Sequence, residues 1–419
     1  MSASIRDLCI PIAIRNFVFS GSRLGSYLEV AIEPTHSNTG VLRGLAIEEL
    51  SNMALRCFQK DEILNCDGYS SSSPMSIGLR CALASILGLI TATRNRLYDK
   101  SILPIYKSKL PVISVGNLTV GGNGKSPFIR YLAKGLIEKG IRPAIVLRGY
   151  GGKSKGPELV TGQSTASQVG DEALEHYLAL GGYGLTIVVA RKRALGAQLL
   201  EKRELADVIL LDDGFQHRAL ARDLDIVLFN STDSAGTGLL VNERLLPHGR
   251  LRESVDLAIE RIDILVETCR TVEVGETDIS ISRRMHQFSG LPVVMQRIKA
   301  SGFCELFGGK TYPTDHLLSK EIIAVGGLAN NQPFFSMLEA LGCKITDKYS
   351  YRDHYPYTKD DYISWCKKGL PIVCTAKDAV KLKDFVSERD PVFVLIVDST
   401  IEDPAEREVF WNSVRKVIR

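Results

Sequence analysis

A glycine-rich turn between a short apolar run and an amphipathic segment is the feature that most constrains the fold. Residues 112–115 read Val-Ile-Ser-Val, and residues 116–127 read Gly-Asn-Leu-Thr-Val-Gly-Gly-Asn-Gly-Lys-Ser-Pro. Apolar residues then recur on one helical face, at Ile129, Leu132, Ala133, Leu136 and Ile137. Strand, glycine-rich turn and helix in this order are typical of a loop whose backbone N–H groups converge on phosphate oxygens. The segment therefore predicts an α/β fold with a phosphate-binding loop.

The loop follows the pattern G-x-x-x-x-G-K-[ST] at every fixed position except the first. The predicted phosphate-binding residues are Thr119, Val120, Gly121, Gly122, Asn123, Gly124, Lys125 and Ser126, with Thr119 in place of the first glycine. We expect Lys125 to neutralise charge between the β and γ phosphates and the Ser126 hydroxyl to bind Mg²⁺. The pattern indicates nucleotide binding, and a chance glycine-rich turn is the alternative.

A second apolar run ends in two carboxylates. Residues 208–211 read Val-Ile-Leu-Leu and are followed by Asp212 and Asp213. Ligands of open α/β sheets gather beyond the carboxyl ends of the strands, where a carboxylate can hold the Mg²⁺ of a nucleotide. We predict that this pair lies near the metal. The alternative is an ordinary turn with N-capping aspartates.

Charge and cysteine content exclude several classes of protein. The 52 basic and 48 acidic residues leave a formal net charge of +4, so we expect no nucleic acid partner. The nine cysteines form no C-x-x-C pair and no zinc-finger spacing, which favours reduced thiols in a reducing compartment. No obligate protein partner is evident. No run reaches the roughly 20 apolar residues of a membrane-spanning helix, which excludes a multi-pass transporter.

The most apolar region, Cys81 to Thr93, is uncharged and is flanked by arginines. Leucine and isoleucine recur at helical spacing within residues 77–97, and a lysine-rich segment follows, with Lys100, Lys107 and Lys109. This pattern fits a helix at a membrane interface, and it fits a core helix equally well. Periodicity does not decide between them.

Residues 1–74 carry no catalytic motif and end in a Ser-Ser-Ser-Ser-Pro run typical of a linker. Two explanations compete: an appended segment of unknown role, or a start codon placed too early, with Met75 as the true first residue. The first twenty residues lack the pattern of a secretory signal.

Apolar runs alternate with helical segments along the rest of the chain. We predict a doubly wound, mostly parallel sheet over 111–291, from strands near 112–115, 143–147, 186–190, 208–212, 225–229 and 263–266. A second series starts at 322–327 and continues through 371–375 and 392–397. We therefore expect an interfacial segment at 75–110, a linker at 292–319 and a smaller α/β domain at 320–419.

Seven motifs in this chain resemble those of one enzyme family. They are PVISVGNLTVGGNGKSP from residue 111, LRGYGG from 147, VGDE from 169, LLDDGFQH from 210, LLPHGRLRE from 245, DHY from 353 and TAKDAVKL from 375. In kind and order they are similar to those of the tetraacyldisaccharide 4'-kinases of lipid A synthesis. The resemblance runs from about Met75 to the C-terminus.

This resemblance implies a reaction and roles for individual residues. Family members transfer the γ-phosphate of ATP, with Mg²⁺, to the 4'-hydroxyl of a tetraacylated glucosamine disaccharide. Asp171 and His354 match the pair proposed to act as the base, and we expect the imidazole to raise the proton affinity of Asp171. The other matched residues are Asp212, Asp213 and Glu253 near the metal, and Arg148 and Arg252 near the nucleotide. Because Asp171 and His354 fall in different predicted domains, catalysis should require closure of the cleft between them.

The resemblance also implies a location at the cytoplasmic face of the bacterial inner membrane, with residues 77–97 in contact with the lipid. Moving an acyl chain from a bilayer into water costs about 0.8 kcal/mol of free energy per CH₂ group. The enzyme must therefore bind its substrate at the membrane surface. Two rivals remain, a guanine-nucleotide switch and a membrane-associated nucleotide-binding scaffold. The switch is disfavoured because the lysine of Thr375-Ala376-Lys377-Asp378 stands one place too late for the base-reading [NT]-K-x-D element.

Overall fold

The computed structural model describes residues 74–230, 244–269, 290–306, 309–383, 385–387 and 389–418. The two explanations for residues 1–74, an appended segment or a start codon placed too early, concern residues outside these ranges, with the exception of Pro74. Met75 lies within the first described helix.

Strands and helices alternate along most of the described chain. The strands are β1 (Val112–Asn117), β2 (Pro143–Leu147), β3 (Glu158–Leu159), β4 (Thr186–Val189), β5 (Val208–Asp212), β6 (Leu224–Asn230), β7 (Ile264–Cys269), β8 (Val293–Glu305), β9 (Thr311–Tyr312), β10 (Glu321–Gly326), β11 (Lys344–Ser350), β12 (Ile372–Thr375) and β13 (Val392–Ile401). The helices are α1 (Pro74–Asp99), α2 (Lys125–Ile137), α3 (Ala166–Val169), α4 (Asp171–Leu180), α5 (Arg193–Arg203), α6 (Val255–Ala258), α7 (Gln332–Ala340), α8 (Lys359–Cys366), α9 (Ala376–Leu382) and α10 (Pro404–Val417). Single 3₁₀ turns lie at Gly181–Tyr183 and Ile259–Arg261.

The described strands form one continuous sheet in the order β11-β10-β12-β13-β8-β7-β6-β1-β5-β2-β4-β3, with β9 paired to β8. The pairings are parallel except those of β13 with β8, β8 with β9 and β3 with β4. Every residue of β1, β2, β5 and β7 is buried, as expected of strands covered by helices on both faces. The predicted doubly wound, mostly parallel α/β fold is confirmed.

Strand β8 lies within the range predicted to be a linker. Its first residues, Val293 to Arg297, pair in parallel with β7, and residues from Gln296 to Glu305 pair antiparallel with β13. Range 292–319 therefore contains a sheet strand that joins the amino-terminal half-sheet (β1 to β7) to the carboxyl-terminal half-sheet (β10 to β13). This strand was not predicted because it is not a continuous apolar run: exposed polar residues such as Lys299 interrupt it.

The order of strands reverses at two places. β1 lies between β5 and β6, and β10 lies between β11 and β12. At such positions the loops after neighbouring strands separate and leave a crevice at the carboxyl edge of the sheet. The glycine-rich loop leaves the carboxyl end of β1, so the topology places it in a crevice of this kind.

Helix α1 presents its apolar stripe to solvent rather than to a core. Leu79, Leu83, Ile86 and Ile90, at helical spacing, are all exposed, and Leu79 is 62% exposed. The other side of the helix docks on the body through the buried Ala84, Ala92 and Asn95. The interpretation of this segment as a plain core helix is therefore not supported.

Helix α2 covers the sheet at the site of the glycine-rich loop and packs against α10. Gly135 on α2 lies under Trp411 of α10, and a Cβ atom built at Gly135 would stand 2.4 Å from the indole ring. Trp411 is held there by its indole N–H, which donates to the Tyr131 hydroxyl at 3.3 Å, and by the ammonium of Lys139, 4.5 Å from the ring centroid. Only glycine fits this contact without displacement of the ring.

Two glycine-to-alanine substitutions test this packing as a matched pair. In an open helical position the change stabilises a helix by about 1 kcal/mol. We expect this at Gly78→Ala of α1, where a Cβ meets nothing within 4 Å. At Gly135→Ala the overlap with Trp411 should reverse the sign and destabilise by about 1–3 kcal/mol. Thermal and urea unfolding measure both, and equal stabilisation at the two positions would contradict the packing.

Candidate active site

The glycine-rich loop has the backbone of a phosphate cradle. Gly121 and Gly124 adopt positive φ angles of 117° and 76°, and α2 begins directly after Gly124, at Lys125. A Cβ at Gly124 would lie 2.8 Å from the Ile298 side chain and 2.9 Å from the Gln296 amide. Glycine is thus required for conformation and for space, and the positive end of the helix dipole faces the cradle.

Buried hydrogen bonds hold this loop on the sheet. The Asn123 side-chain amide donates to the Thr119 hydroxyl at 2.8 Å, and the Thr268 hydroxyl donates to the Asn123 carbonyl at 2.8 Å. Gln296 in turn donates to Thr268 at 2.6 Å. Thr119, the departure from the motif, therefore has a role of its own, because its hydroxyl fastens one side of the loop to the other.

Lys125 lies between a neutral and a charged oxygen. Its Nζ is 3.1 Å from Oδ1 of Asn117 and 3.5 Å from Oδ1 of Asp213. Asp213 also accepts from Nη1 of Arg252 at 2.8 Å. Burial raises the pKa of Asp213, but the charges of Lys125 and Arg252 outweigh it and hold the pKa below its usual range. The three predicted site residues thus meet, with Asp213 ionised.

Asp212 is tied to a histidine that the sequence analysis did not single out. His176 of α4 is fully buried, and its Nε2 lies 3.0 Å from Oδ2 of Asp212. Because a carboxylate only accepts, Nε2 of His176 carries a hydrogen and donates to Asp212, while Nδ1 has no hydrogen-bond partner within the described chain. This bond orients one oxygen of Asp212 and joins α4 to the acidic end of β5.

Glu253 is buried among groups that reach it from three elements. The Asn95 amide of α1 donates to it at 2.8 Å, Arg261 at 2.5 Å and Gln216 at 3.2 Å. Gln216 donates as well to the backbone carbonyl of Asn117 at 3.0 Å. Glu253, which is predicted near the metal, thus also connects α1 through Gln216 to Asn117, and Asn117 accepts a hydrogen bond from Lys125.

Asp171 and His354 are hydrogen bonded, although 183 positions separate them along the chain. His354 Nδ1 lies 2.9 Å from Oδ2 of Asp171, which is buried at the start of α4. His354 follows β11 in a turn and has a positive φ of 56°, a conformation that is unfavourable for a residue with a side chain. The prediction that the two residues act as a pair is consistent with this contact.

The proton affinity of Asp171 differs from our expectation. Burial raises its pKa, but the hydrogen bond from His354 and the charges of Lys377 and Lys381 outweigh burial and leave the pKa below its usual value. The expected rise was wrong, because a donor and two ammonium groups stabilise the ionised form. The hydrogen bond to Asp171 raises the pKa of His354 instead, and it outweighs burial and the charge of Lys377.

Arg148 lies exposed at the carboxyl end of β2, next to a group of cationic side chains. The pKa of His217 falls to about 4 through burial and the charges of Arg193, Arg222, Arg94 and Arg148. His217 is therefore neutral at physiological pH. Arg193, which is buried at the start of α5, was not identified from the sequence, since an arginine at a helix start carries no motif.

The donor set suits a nucleotide with a hard divalent cation. Within the described residues no group of three or more His, Cys, Asp or Glu side chains forms a metal cluster. Mg²⁺ needs none, since it is usually held by one or two carboxylates together with substrate phosphates and waters. Ser126, at the start of α2, and Asp212 and Asp213, at the end of β5, supply oxygens of the required kind.

The mostly parallel α/β sheet and the glycine-rich loop between β1 and α2 are together those of a P-loop nucleotide-binding protein. A family model, tetraacyldisaccharide-1-P 4'-kinase, matches residues 79–416, and the chain belongs to that family.

Individual relatives agree. A tetraacyldisaccharide 4'-kinase of Chlorobium luteolum is 36% identical over 324 residues, which are 74% of this chain and 87% of the relative. One of Francisella philomiragia is 37% identical over 282 residues, 67% of this chain and 83% of the relative. A crystal structure of LpxK from Aquifex aeolicus in complex with ATP aligns with a TM-score of 0.65 and 32% identity, and covers 81% of this chain and 98% of that one.

The Asp171→Asn substitution tests the electrostatics of the pair. The carboxylate is the largest cause of the raised pKa of His354, while burial and Lys377 act in the opposite direction. We therefore expect the pKa of His354 in the variant to fall below the ordinary histidine value, as measured by NMR titration. Asp353→Asn, whose carboxylate is 3.9 Å from Nε2, should lower it less. A larger effect from Asp353→Asn would contradict the assignment.

Proposed function

We propose that this protein is an ATP- and Mg²⁺-dependent kinase that phosphorylates the 4'-hydroxyl of a tetraacylated glucosamine disaccharide 1-phosphate, as the names of its relatives indicate. The observation that carries the proposal is that helix α4 connects two groups, through Asp171 at its start and through the hydrogen bond of His176 to Asp212 at the end of β5. One is the P-loop with Lys125, and the other is the hydrogen-bonded pair of Asp171 and His354. The first suits a triphosphate, and the second suits removal of a proton from a hydroxyl.

Phosphoryl transfer asks the protein mainly for positioning and for positive charge around the phosphoryl oxygens. The loop residues Thr119 to Ser126, with Lys125, Arg148 and Arg252, supply binding and charge. Asp171 accepts the proton of the acceptor hydroxyl as the oxygen–phosphorus bond forms and the bond to ADP breaks. Its lowered pKa suits a transition state in which the proton leaves late, since the hydroxyl becomes acidic only as the new bond forms.

Ser126, Asp212 and Asp213 are the residues that we propose hold Mg²⁺. When bound, the ion neutralises charge on the β and γ phosphates. Glu253 stays a proposed member of the metal environment, and its hydrogen bonds to Gln216 and Asn95 indicate that it acts by fixing its neighbours.

Helix α1 supports a membrane location. Residues Ile77–Asp99 are long and apolar enough to cross a membrane by length and composition. We propose instead that α1 lies at the interface, because Asn95 is anchored on the body and Arg218 binds Asp99 at 2.6 Å. A peripheral position at the cytoplasmic face of the bacterial inner membrane follows, with the exposed leucines and isoleucines in the lipid.

A nucleotide-dependent switch or scaffold would share the P-loop and the helix. It would have no use for a buried carboxylate paired with a histidine from the other half of the sheet. It would produce no phosphorylated lipid, and a guanine-specific switch would prefer GTP.

Transfer of label from γ-labelled ATP tests the proposed activity. The protein is incubated with Mg²⁺ and the acylated disaccharide in detergent, and labelled lipid is measured. Lys125→Ala should reduce the rate about 100-fold or more, because the lysine supplies charge at the phosphoryl oxygens. Lys134→Ala, an exposed lysine of the same helix, is the matched control and should leave the rate unchanged. No labelled lipid from the unaltered protein would refute the function.

Vesicle flotation tests the role of α1. The double variant Leu83→Ser and Ile90→Ser removes two exposed apolar side chains, and we expect binding to anionic vesicles to weaken about tenfold or more. Ile363→Ser removes an equally exposed isoleucine from α8 and should leave binding unchanged. Equal losses in both variants would show that the surface of α1 has no special role.

A further inference from the structure

The start of α9 carries a lysine for which the proposed reaction has no task so far. Lys377 belongs to the TAKDAVKL motif, and only 12% of its side chain is exposed. Its Nζ lies 2.9 Å from Oδ1 of Asp353, 3.4 Å from Oε1 of Glu172 and 3.3 Å from Nε2 of His354. A buried ammonium with three such neighbours is held in one position.

These contacts join the two half-sheets around the proposed base. Glu172 belongs to α4, the helix that begins with Asp171, whereas Asp353 and His354 belong to the turn after β11. Lys377 therefore connects α4, which contains Asp171, to the turn that contains His354. The charges of Glu172 and Asp171 outweigh burial and raise the pKa of Lys377, so the residue remains an ammonium.

The contact with His354 also determines where the imidazole carries its proton. An ammonium has donors and no acceptor, so Nε2 of His354 must accept from Lys377. A neutral imidazole whose Nε2 accepts has its proton on Nδ1, the nitrogen that faces Asp171. The alternative tautomer would set two donors against each other on one side and leave two acceptors facing on the other.

We propose that Lys377 is a positioning residue for phosphoryl transfer, which donates to Nε2 of His354, keeps the Nδ1–H of the imidazole on Asp171 and opposes uptake of a second proton at Nε2. This inference rests on the proposed kinase function. Asp171 next to a neutral imidazole accepts the hydroxyl proton more readily than Asp171 next to an imidazolium. Loss of the ammonium would remove its own lowering effect on the pKa of Asp171. It would also free Nε2 of His354 for a second proton, and the resulting imidazolium would place a positive charge on the ring that donates to Asp171, which weakens the base.

The other groups around His354 do not replace this effect. Asp171 on α4 and Asp353 on its own turn are acidic and favour the imidazolium. Glu172 on α4 faces the ammonium of Lys377. The ring of Tyr150 is centred 5.0 Å from the imidazole and carries no positive charge. Lys381 on α9 is 3.7 Å from Oδ2 of Asp171 and acts on the carboxylate.

Three variants of the full chain test the proposal. In Lys377→Met we expect kcat to fall about 10- to 100-fold with the KM for ATP nearly unchanged, and the acid limb of the pH–rate profile to move to higher pH. Lys377→Arg retains a cation and donors, and should restore most of kcat and the position of the limb. Lys368→Met removes a lysine that pairs with Asp347 on the surface and should behave as the unaltered protein does.

NMR titration of His354 separates this proposal from the proposed function, because it requires no turnover. The signal is assigned by its absence in His354→Gln, and Lys377→Met should raise the pKa of His354 while Lys377→Arg does not. A proportional loss of kcat at every pH, with an unaltered pKa of His354, would overturn the proposal and leave Lys377 as a structural clamp. Absence of transfer by the unaltered protein would instead refute the kinase function and leave the titration result standing.

Discussion

The site depends on the staggered antiparallel pairing of β8 with β13. β8 pairs with β7 through its first residues, 293–297. The part of β13 that pairs with β12 lies at the other end of β8, where residues 393–395 pair with 303–305. At about 3.3 Å per residue the two half-sheets are displaced along β8, and their strands run in opposite directions. Their carboxyl edges therefore face each other, and this brings residues from the two edges into one crevice.

Charge compensation across that crevice follows from the geometry. Asp213 is compensated by Lys125 and Arg252 from its own half of the sheet, whereas Asp171 is compensated across the crevice by Lys377 and Lys381 of α9. Asp171 is buried and Asp213 is half-buried, and in both the nearby cations outweigh burial and hold the pKa below its usual value. Asp213 and His354 are also non-glycine residues with positive φ, an unfavourable backbone conformation. Such conformations persist where surrounding contacts hold them, and the lysine and arginine bonds are contacts of this kind.

Much of the amino-terminal half-sheet could be predicted from the sequence, because strands buried on both faces read as continuous apolar runs. The strands near 112, 143, 186, 208, 225 and 264 are of this type. β11 was missed, since its residues alternate between half-buried and exposed, and β8 was interpreted as a linker for a similar reason. The pairing of β8 with β7 and β13 depends on residues far apart in the chain, so no local sequence pattern predicts it.

The site shows the same division. Residues in sequence motifs, such as Lys125, Asp213 and the pair Asp171 and His354, were identified, because motif and resemblance carry them. His176, Gln216 and Asn95 were not, since each acts through a contact with a residue far along the chain. The direction of the Asp171 pKa could not be inferred either, because it depends on how many cations surround a buried carboxylate.

The position of helix α1 ties its exposed apolar surface, which we propose faces lipid, to the nucleotide loop. Asn95 donates to Glu253, Gln216 donates to Glu253 and to the backbone of Asn117, and the Asn117 side chain accepts from Lys125. Asn95 and Glu253 are both buried, so water does not compete for these bonds. Because the same helix exposes its apolar stripe, the depth of α1 at an interface fixes how far Lys125 stands from the lipid. A kinase whose acceptor stays in the bilayer needs a fixed distance of this kind, since phosphoryl transfer tolerates little misplacement of the reacting groups.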